Sequence, residues 1–149
     1  MKTASIYKRK GKGYIIFGSS KTISGLVVAA EPFINIPETE ANANIIVQAI
    51  KACLYTNNEK VPDPKNWTEF NKDFLQKIGI KSLKDLENAD TKLVSIKQEK
   101  DYIVFNPMQP AKKPDKGFIN ANKESVEVSV FASDQDMFKA YELALRNCG

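Results

Sequence analysis

Between Val61 and Pro107 the spacing of apolar residues switches from a helical to a strand period, and no other stretch limits the possible folds so tightly. Pro62 and Pro64 hold its start extended, because proline fixes its own φ and disfavours helix in the residue before it. Asn66 or Thr68 then offers a side-chain cap, and Phe70, Phe74, Leu75 and Ile78 follow as one apolar stripe. Gly79 is placed to close that helix in the left-handed conformation, with Ile80 ready for the apolar contact that accompanies such a cap. Ser82-Leu83-Lys84-Asp85 resembles a capping box and predicts a short helix through Leu83 and Leu86. Trp67, the one tryptophan, is expected to act as a hydrophobic staple at the first helix entrance rather than as a binding anchor. Thr91–Lys97 and Asp101–Phe105 read as two strands joined by a polar turn. The second is apolar on both faces, which gives it a central place, and Asn106-Pro107 is expected to stop it. Both ends of the chain are expected to pack against this middle stretch.

Upstream, Ser5–Lys10 and Tyr14–Phe17 flank Gly11-Lys12-Gly13 and read as a β-hairpin. Ile23 with Leu26–Ala30 predicts a third strand, and Phe33–Pro37 a fourth beyond the interruption at Pro32. Thr39 is expected to open a helix with Glu40 in its first turn. Ile45, Ile46, Ala49, Ile50, Cys53 and Leu54 form its apolar face, and Asn57-Asn58-Glu59-Lys60 ends it. Downstream, Met108–Lys116 reads as an exposed loop, with Phe118 and Ile119 docking its far end. Val126, Val128 and Val130 alternate inward in a one-sided strand. Ser133-Asp134-Gln135-Asp136 then opens a last helix, with Met137, Phe138, Tyr141, Ala144 and Leu145 on one face. The predicted class is α+β: a single domain over residues 1–149, with a mixed, mainly antiparallel sheet and helices packed on it.

Composition bears on function chiefly through charge. The net charge is +4, yet the six basic residues before Glu31 (Lys2, Lys8, Arg9, Lys10, Lys12 and Lys21) meet no acidic residue there, so the excess is local to the N-terminus. Two cysteines without metal-ligand spacing, Cys53 and Cys148, suit a reducing cytosol and free thiols. The basic N-terminus is not followed by the apolar run of a signal peptide, and no apolar run approaches the roughly 20 residues of a membrane span. The expected location is cytoplasmic, with no membrane contact.

The chain has no histidine, which removes the commonest general base and metal ligand and leaves Cys53 without a histidine base. It carries no Cys-x-x-Cys, no Gly-x-Ser-x-Gly and no nucleotide-binding glycine pattern. The carboxylate pairs Asp134/Asp136, Glu99/Asp101 and Glu87/Asp90 lie at helix starts or turns, where such groups serve as caps and solubilising charge. The expectation is therefore not an enzyme, with no cofactor and no metal. Tyr7-Lys8-Arg9 and Lys12-Gly13-Tyr14 set rings beside cations, as a small basic nucleic-acid-binding module would, and this is the alternative reading.

The Val-Pro-x-Pro lead-in, the helix ending Ile78-Gly79-Ile80-Lys81-Ser82-Leu83, the short helix, the strand pair and the Asn106-Pro107 stop together resemble the immunity proteins of bacterial contact-dependent growth inhibition systems. The final strand and the Ser133-Asp134-Gln135-Asp136 helix with Ala140, Ala144 and Leu145 are similar to that family's ending. The resemblance implies a cytoplasmic, non-catalytic inhibitor that binds one-to-one the cognate C-terminal toxin domain of a delivered surface protein. Many such toxins are nucleases, often acting on transfer RNA. No direct nucleic-acid contact is implied for the inhibitor itself, and a homodimer stays compatible with it. Toxin-facing surfaces vary with the toxin, so the interface is read from physical grounds alone. The candidates are the hairpin with Tyr7, Arg9, Lys10 and Lys12, and the loop with Lys112, Lys113, Asp115 and Lys116.

Overall fold

A computed structural model describes residues 2–55, 60–112, 115 and 117–149. Seven strands form one sheet: β1 (Lys2–Arg9), β2 (Gly13–Lys21), β3 (Val27–Pro37), β4 (Thr91–Gln98), β5 (Tyr102–Pro110), β6 (Phe118–Asn120) and β7 (Val126–Ser129). Among the described residues four α-helices accompany them: α1 (Ala43–Tyr55), α2 (Trp67–Ile78), α3 (Leu83–Leu86) and α4 (Asp134–Arg146). The sheet order is β3-β2-β1-β4-β5-β6, with β7 also paired to β5. Every pairing between these strands is antiparallel, and among the described residues the one parallel contact is an isolated bridge between Thr22 and Val61. The class is α+β.

Alternation on the strands sends side chains to two faces, and each face has its own core. Ala4, Ile6, Ile16, Val94, Ile96, Ile103 and Phe105 meet α1 and α4 on one side. Ile15 and Phe17 meet Ile78, Ile80 and Leu86 from the α2–α3 region on the other. The middle of the sheet is the β1–β4 pair, so the N-terminal strand shares the central place with a strand of the stretch from Val61.

Local sequence chemistry sets several boundaries as expected. Asn66 Oδ1 accepts the Glu69 N–H at 3.2 Å and starts α2. Gly79, at φ 74°, ends it, and the Ile80 N–H reaches back to the Leu75 carbonyl at 3.0 Å. Ser133 caps α4 by accepting the Asp136 N–H at 3.1 Å. Ser82, by contrast, makes no side-chain cap to α3. Trp67 is the first residue of α2 and stays exposed, its ring edge-on to Phe70 at 5.6 Å. It packs within its own helix rather than from the residue before the cap, as a staple would.

Four boundaries differ from expectation, each for a physical reason. The predicted third and fourth strands are one, β3. The register slips between Phe17↔Phe33 and Gly18↔Ala30, so Glu31 and Pro32 sit in a bulge and the proline costs no ladder bond. Ile23 and Leu26 fall in the turn before β3 and are exposed. A 3-10 turn over Glu38–Glu40 precedes α1, which is capped by Asn42 Oδ1 accepting the Ile45 N–H at 2.9 Å rather than by Thr39. This start exposes Ile45 and buries Val47. Strand β5 runs through Asn106-Pro107 to Pro110, because its outer partner changes there from β7 to β6 and the Pro107 carbonyl accepts the Ala121 N–H at 2.9 Å. The predicted helix stop at Asn57-Asn58-Glu59 lies outside the described residues.

Candidate functional site

The β1–β2 hairpin carries half of the contact residues singled out from sequence, and its turn is tied down on both sides. The Lys12 N–H reaches the Arg9 carbonyl at 2.9 Å, the Lys10 N–H reaches the Asp90 carbonyl at 3.0 Å, and the Glu38 N–H reaches the Lys12 carbonyl at 3.3 Å. Gly11, at φ 72°, supplies the positive φ the turn needs. Lys10 and Lys12 are thus exposed side chains on a backbone held by three separate segments.

Strand alternation then divides the hairpin's side chains between the two faces of the sheet. Tyr7 points to the α2–α3 side, where its ring stacks on Phe17 at 5.8 Å and meets the edge of Phe118 at 5.9 Å. Burial, with the Glu87 carboxylate as a smaller cause, pushes the Tyr7 phenol far above its ordinary range. Tyr7 is therefore a core ring and not a free anchor. Its contact with Phe118 joins the hairpin to the base of the 111–117 loop, so the two sequence-distant candidates approach one face. In that loop Lys112 and Asp115 are exposed, and the Asp115 N–H bonds the Lys112 carbonyl at 2.9 Å. Lys113 and Lys116 lie outside the described residues.

Two grooves flank the hairpin end. One, of about 260 Å³, is bounded by Arg9, Lys10 and Lys12 against Asp85, Asn88 and Asp90. The other, of about 460 Å³, lies towards α4 and is bounded by Lys8, Lys10 and Lys92 with Glu38, Asp90 and Leu145. Lys10 and Asp90 belong to both. Lys92 was missed by sequence reasoning, and Lys8 was singled out only for the nucleic-acid alternative. They are direct cross-strand partners in the β1–β4 register, which neither strand's own pattern discloses. Lys8 Nζ sits over the Tyr14 ring, 5.9 Å from its centroid. Burial first, then the Glu38 and Glu142 carboxylates, raise the Tyr14 phenol, so that ring stays neutral at physiological pH.

Two of the carboxylates singled out from sequence are held in ion pairs. Asp134 pairs with Lys51 and accepts from Gln48 Nε2 at 2.9 Å, linking α4 to α1. Glu99 pairs with Lys97 at 3.2 Å. Both cysteines are free thiols. Cys53 is fully buried in α1, and burial pushes its thiol from 9.0 to about 12. The folded chain therefore holds this proton through the interval from about 9 to 12 in which an unfolded chain would release it. Stability is expected to be constant below pH 9 on this account and to fall as pH rises through that interval. Thermal melts of the wild type and Cys53→Ala from pH 7 to 11 check this, since the variant should lose less stability over the alkaline steps.

No group of described histidine, cysteine and acidic residues is arranged to hold a metal ion, and no described helix is long and apolar enough to cross a membrane. What stands out is an antiparallel sheet with helices on both faces and a basic edge at one end.

That architecture is shared with solved structures. A protein of unknown function from Neisseria meningitidis superposes with a TM-score of 0.74 at 15% identity, covering 99% of this chain and 95% of that one. A chain of the CdiA-CT/CdiI toxin and immunity complex from Yersinia pseudotuberculosis superposes with a TM-score of 0.70 at 17% identity, covering 99% of this chain and 97% of that one. No family model and no curated protein sequence matches the chain. The fold is that of a protein in a toxin–immunity complex, in agreement with the resemblance carried by the sequence from Val61 onward.

Proposed function

We propose that this chain is an immunity protein, which binds and neutralises the cognate C-terminal toxin domain of a contact-dependent growth inhibition system. The observation that carries the reading is the near-complete overlap, on both sides, with a chain of a toxin–immunity complex. The ion pairing of Asp134 with Lys51 and of Glu99 with Lys97, and the protonated state of Cys53, support a binding role over a catalytic one. The chain would act as one domain, in the cytoplasm, as a one-to-one inhibitor of a toxin that is expected to be a nuclease, with transfer RNA among its candidate substrates. The hairpin cations Arg9, Lys10 and Lys12 and the Lys112–Lys116 loop are its proposed contact surfaces.

The nucleic-acid alternative loses ground on one observation. Stacking needs free rings. Tyr7 is enclosed by Phe17 and Phe118, and Tyr14 is covered by the Lys8 ammonium.

Co-expression tests the proposal. Cells producing the toxin domain encoded immediately upstream are expected to grow when this chain is supplied and to stop when it is withheld. Growth arrest in both cases would remove the proposal.

A further inference from the structure

Resting on that toxin-binding reading and extending it, we propose that the groove bounded by Lys8, Lys10 and Lys92 receives an acidic segment of the toxin domain, with successive Asp or Glu carboxylates set between the three ammonium groups.

The argument starts from an arrangement that folding alone disfavours. Lys8 and Lys92 face each other directly across β1 and β4, and like charges so placed are destabilising. Among the described residues, neither forms an ion pair, and nor does Lys10. Glu38 and Asp90 line the same groove without pairing to any of the three. Three ammonium groups against two carboxylates leave a net positive lining, with no ion pair among them, around a space of about 460 Å³. A bound carboxylate would relieve the Lys8–Lys92 repulsion, so the ligand and the defect match.

The same lining selects among anions. Glu38 and Asp90 would repel a chain that bears a charge at every unit, as a phosphodiester backbone does. A polypeptide can instead place separate carboxylates at the lysines and turn neutral or apolar groups toward Leu145 and Ala89. None of the described residues that line the groove is aromatic, which withholds the stacking that nucleic acid would use. The occupant is therefore an acidic protein segment.

Two measurements on the full chain test this. In the first, amide shifts of isotopically labelled protein are followed on adding a peptide of alternating glutamate and alanine, and separately a hexauridylate RNA. The peptide is expected to move the amides of Lys8, Lys10, Asp90, Lys92 and Leu145 more than the RNA does. Shifts confined elsewhere, no shifts, or a stronger response to the RNA would each overturn the inference. In the second, Lys92→Glu is compared with the wild type for folding and for toxin binding. The new carboxylate opposite Lys8 should raise Tm by about 1–4 °C. The same change should weaken toxin binding by roughly tenfold or more and flatten its salt dependence. The exposed Lys139→Gln on α4 should leave toxin binding unchanged. A Lys92→Glu protein that binds toxin as the wild type does would sink the groove while leaving the immunity reading intact. Should the wild type fail to bind toxin at all, the immunity reading falls, and the peptide and RNA shifts alone decide the groove.

Discussion

Replacing Gly13 with alanine is expected to cost about 3–4 kcal/mol of unfolding free energy, read from urea denaturation. Gly13 sits at φ 125°, where an L side chain is strained. A Cβ there would fall well inside contact distance of the Ile36 carbonyl oxygen and 2.8 Å from the Glu38 nitrogen. Both are backbone atoms that cannot step aside without breaking the pairing of β2 with β3. Gly11, two residues earlier, is the control. It also has positive φ, at 72°, but an added Cβ would meet nothing within 4 Å. Gly11→Ala should therefore cost only about 1 kcal/mol, the price of the left-handed conformation alone. Equal losses at the two positions would contradict this account of the hairpin. Because the same contact region holds the Lys12 carbonyl to the Glu38 N–H, Gly13→Ala should also weaken partner binding through displaced Lys12 and Glu38.

Phe105→Ala should lower stability by about 3–5 kcal/mol, a large share of what a domain of this size possesses. Phe105 is fully buried on β5, opposite Ile96 on one side and Val126 on the other, and faces the core under α1 and α4. A strand paired on both edges cannot shift to fill the cavity the ring would leave. Tyr102, on the same strand but half exposed, should tolerate alanine at about 1 kcal/mol or less. Chemical denaturation of the two variants gives the comparison, and similar losses would show that β5 is not the rigid inner strand described.

What the sequence made legible, and what it hid, follows from the range of the interactions concerned. The caps at Asn66, Gly79 and Ser133 are set by bonds that span a few residues, and each could be read from the local order of side chains. The hairpin over Gly11-Lys12-Gly13 was legible for the same reason. Proline was over-read twice. Pro32 and Pro107 break strands in isolation, but a bulge and a change of partner strand absorb them, and both devices depend on segments far away in sequence. The same holds for the central position of β1, which is set by its pairing with β4 some eighty residues later.

The candidate site divides along the same line. A local excess of cations near the N-terminus was visible in the sequence, and it led to Arg9, Lys10 and Lys12. Tyr7 looked like an exposed anchor because its neighbours are charged, yet alternation turns its ring to the opposite face from Lys8. Lys92 gave no signal of its own. Only the β1–β4 register places it against Lys8 and converts two ordinary strand lysines into one side of a groove.

The central claim is that this fold binds a toxin domain. Titration calorimetry of the full chain against the C-terminal domain encoded immediately upstream, at low and at high salt, tests it most directly. The expected result is one-to-one binding in the nanomolar range that weakens as salt rises. No heat at either salt, from a folded toxin domain, would contradict the claim.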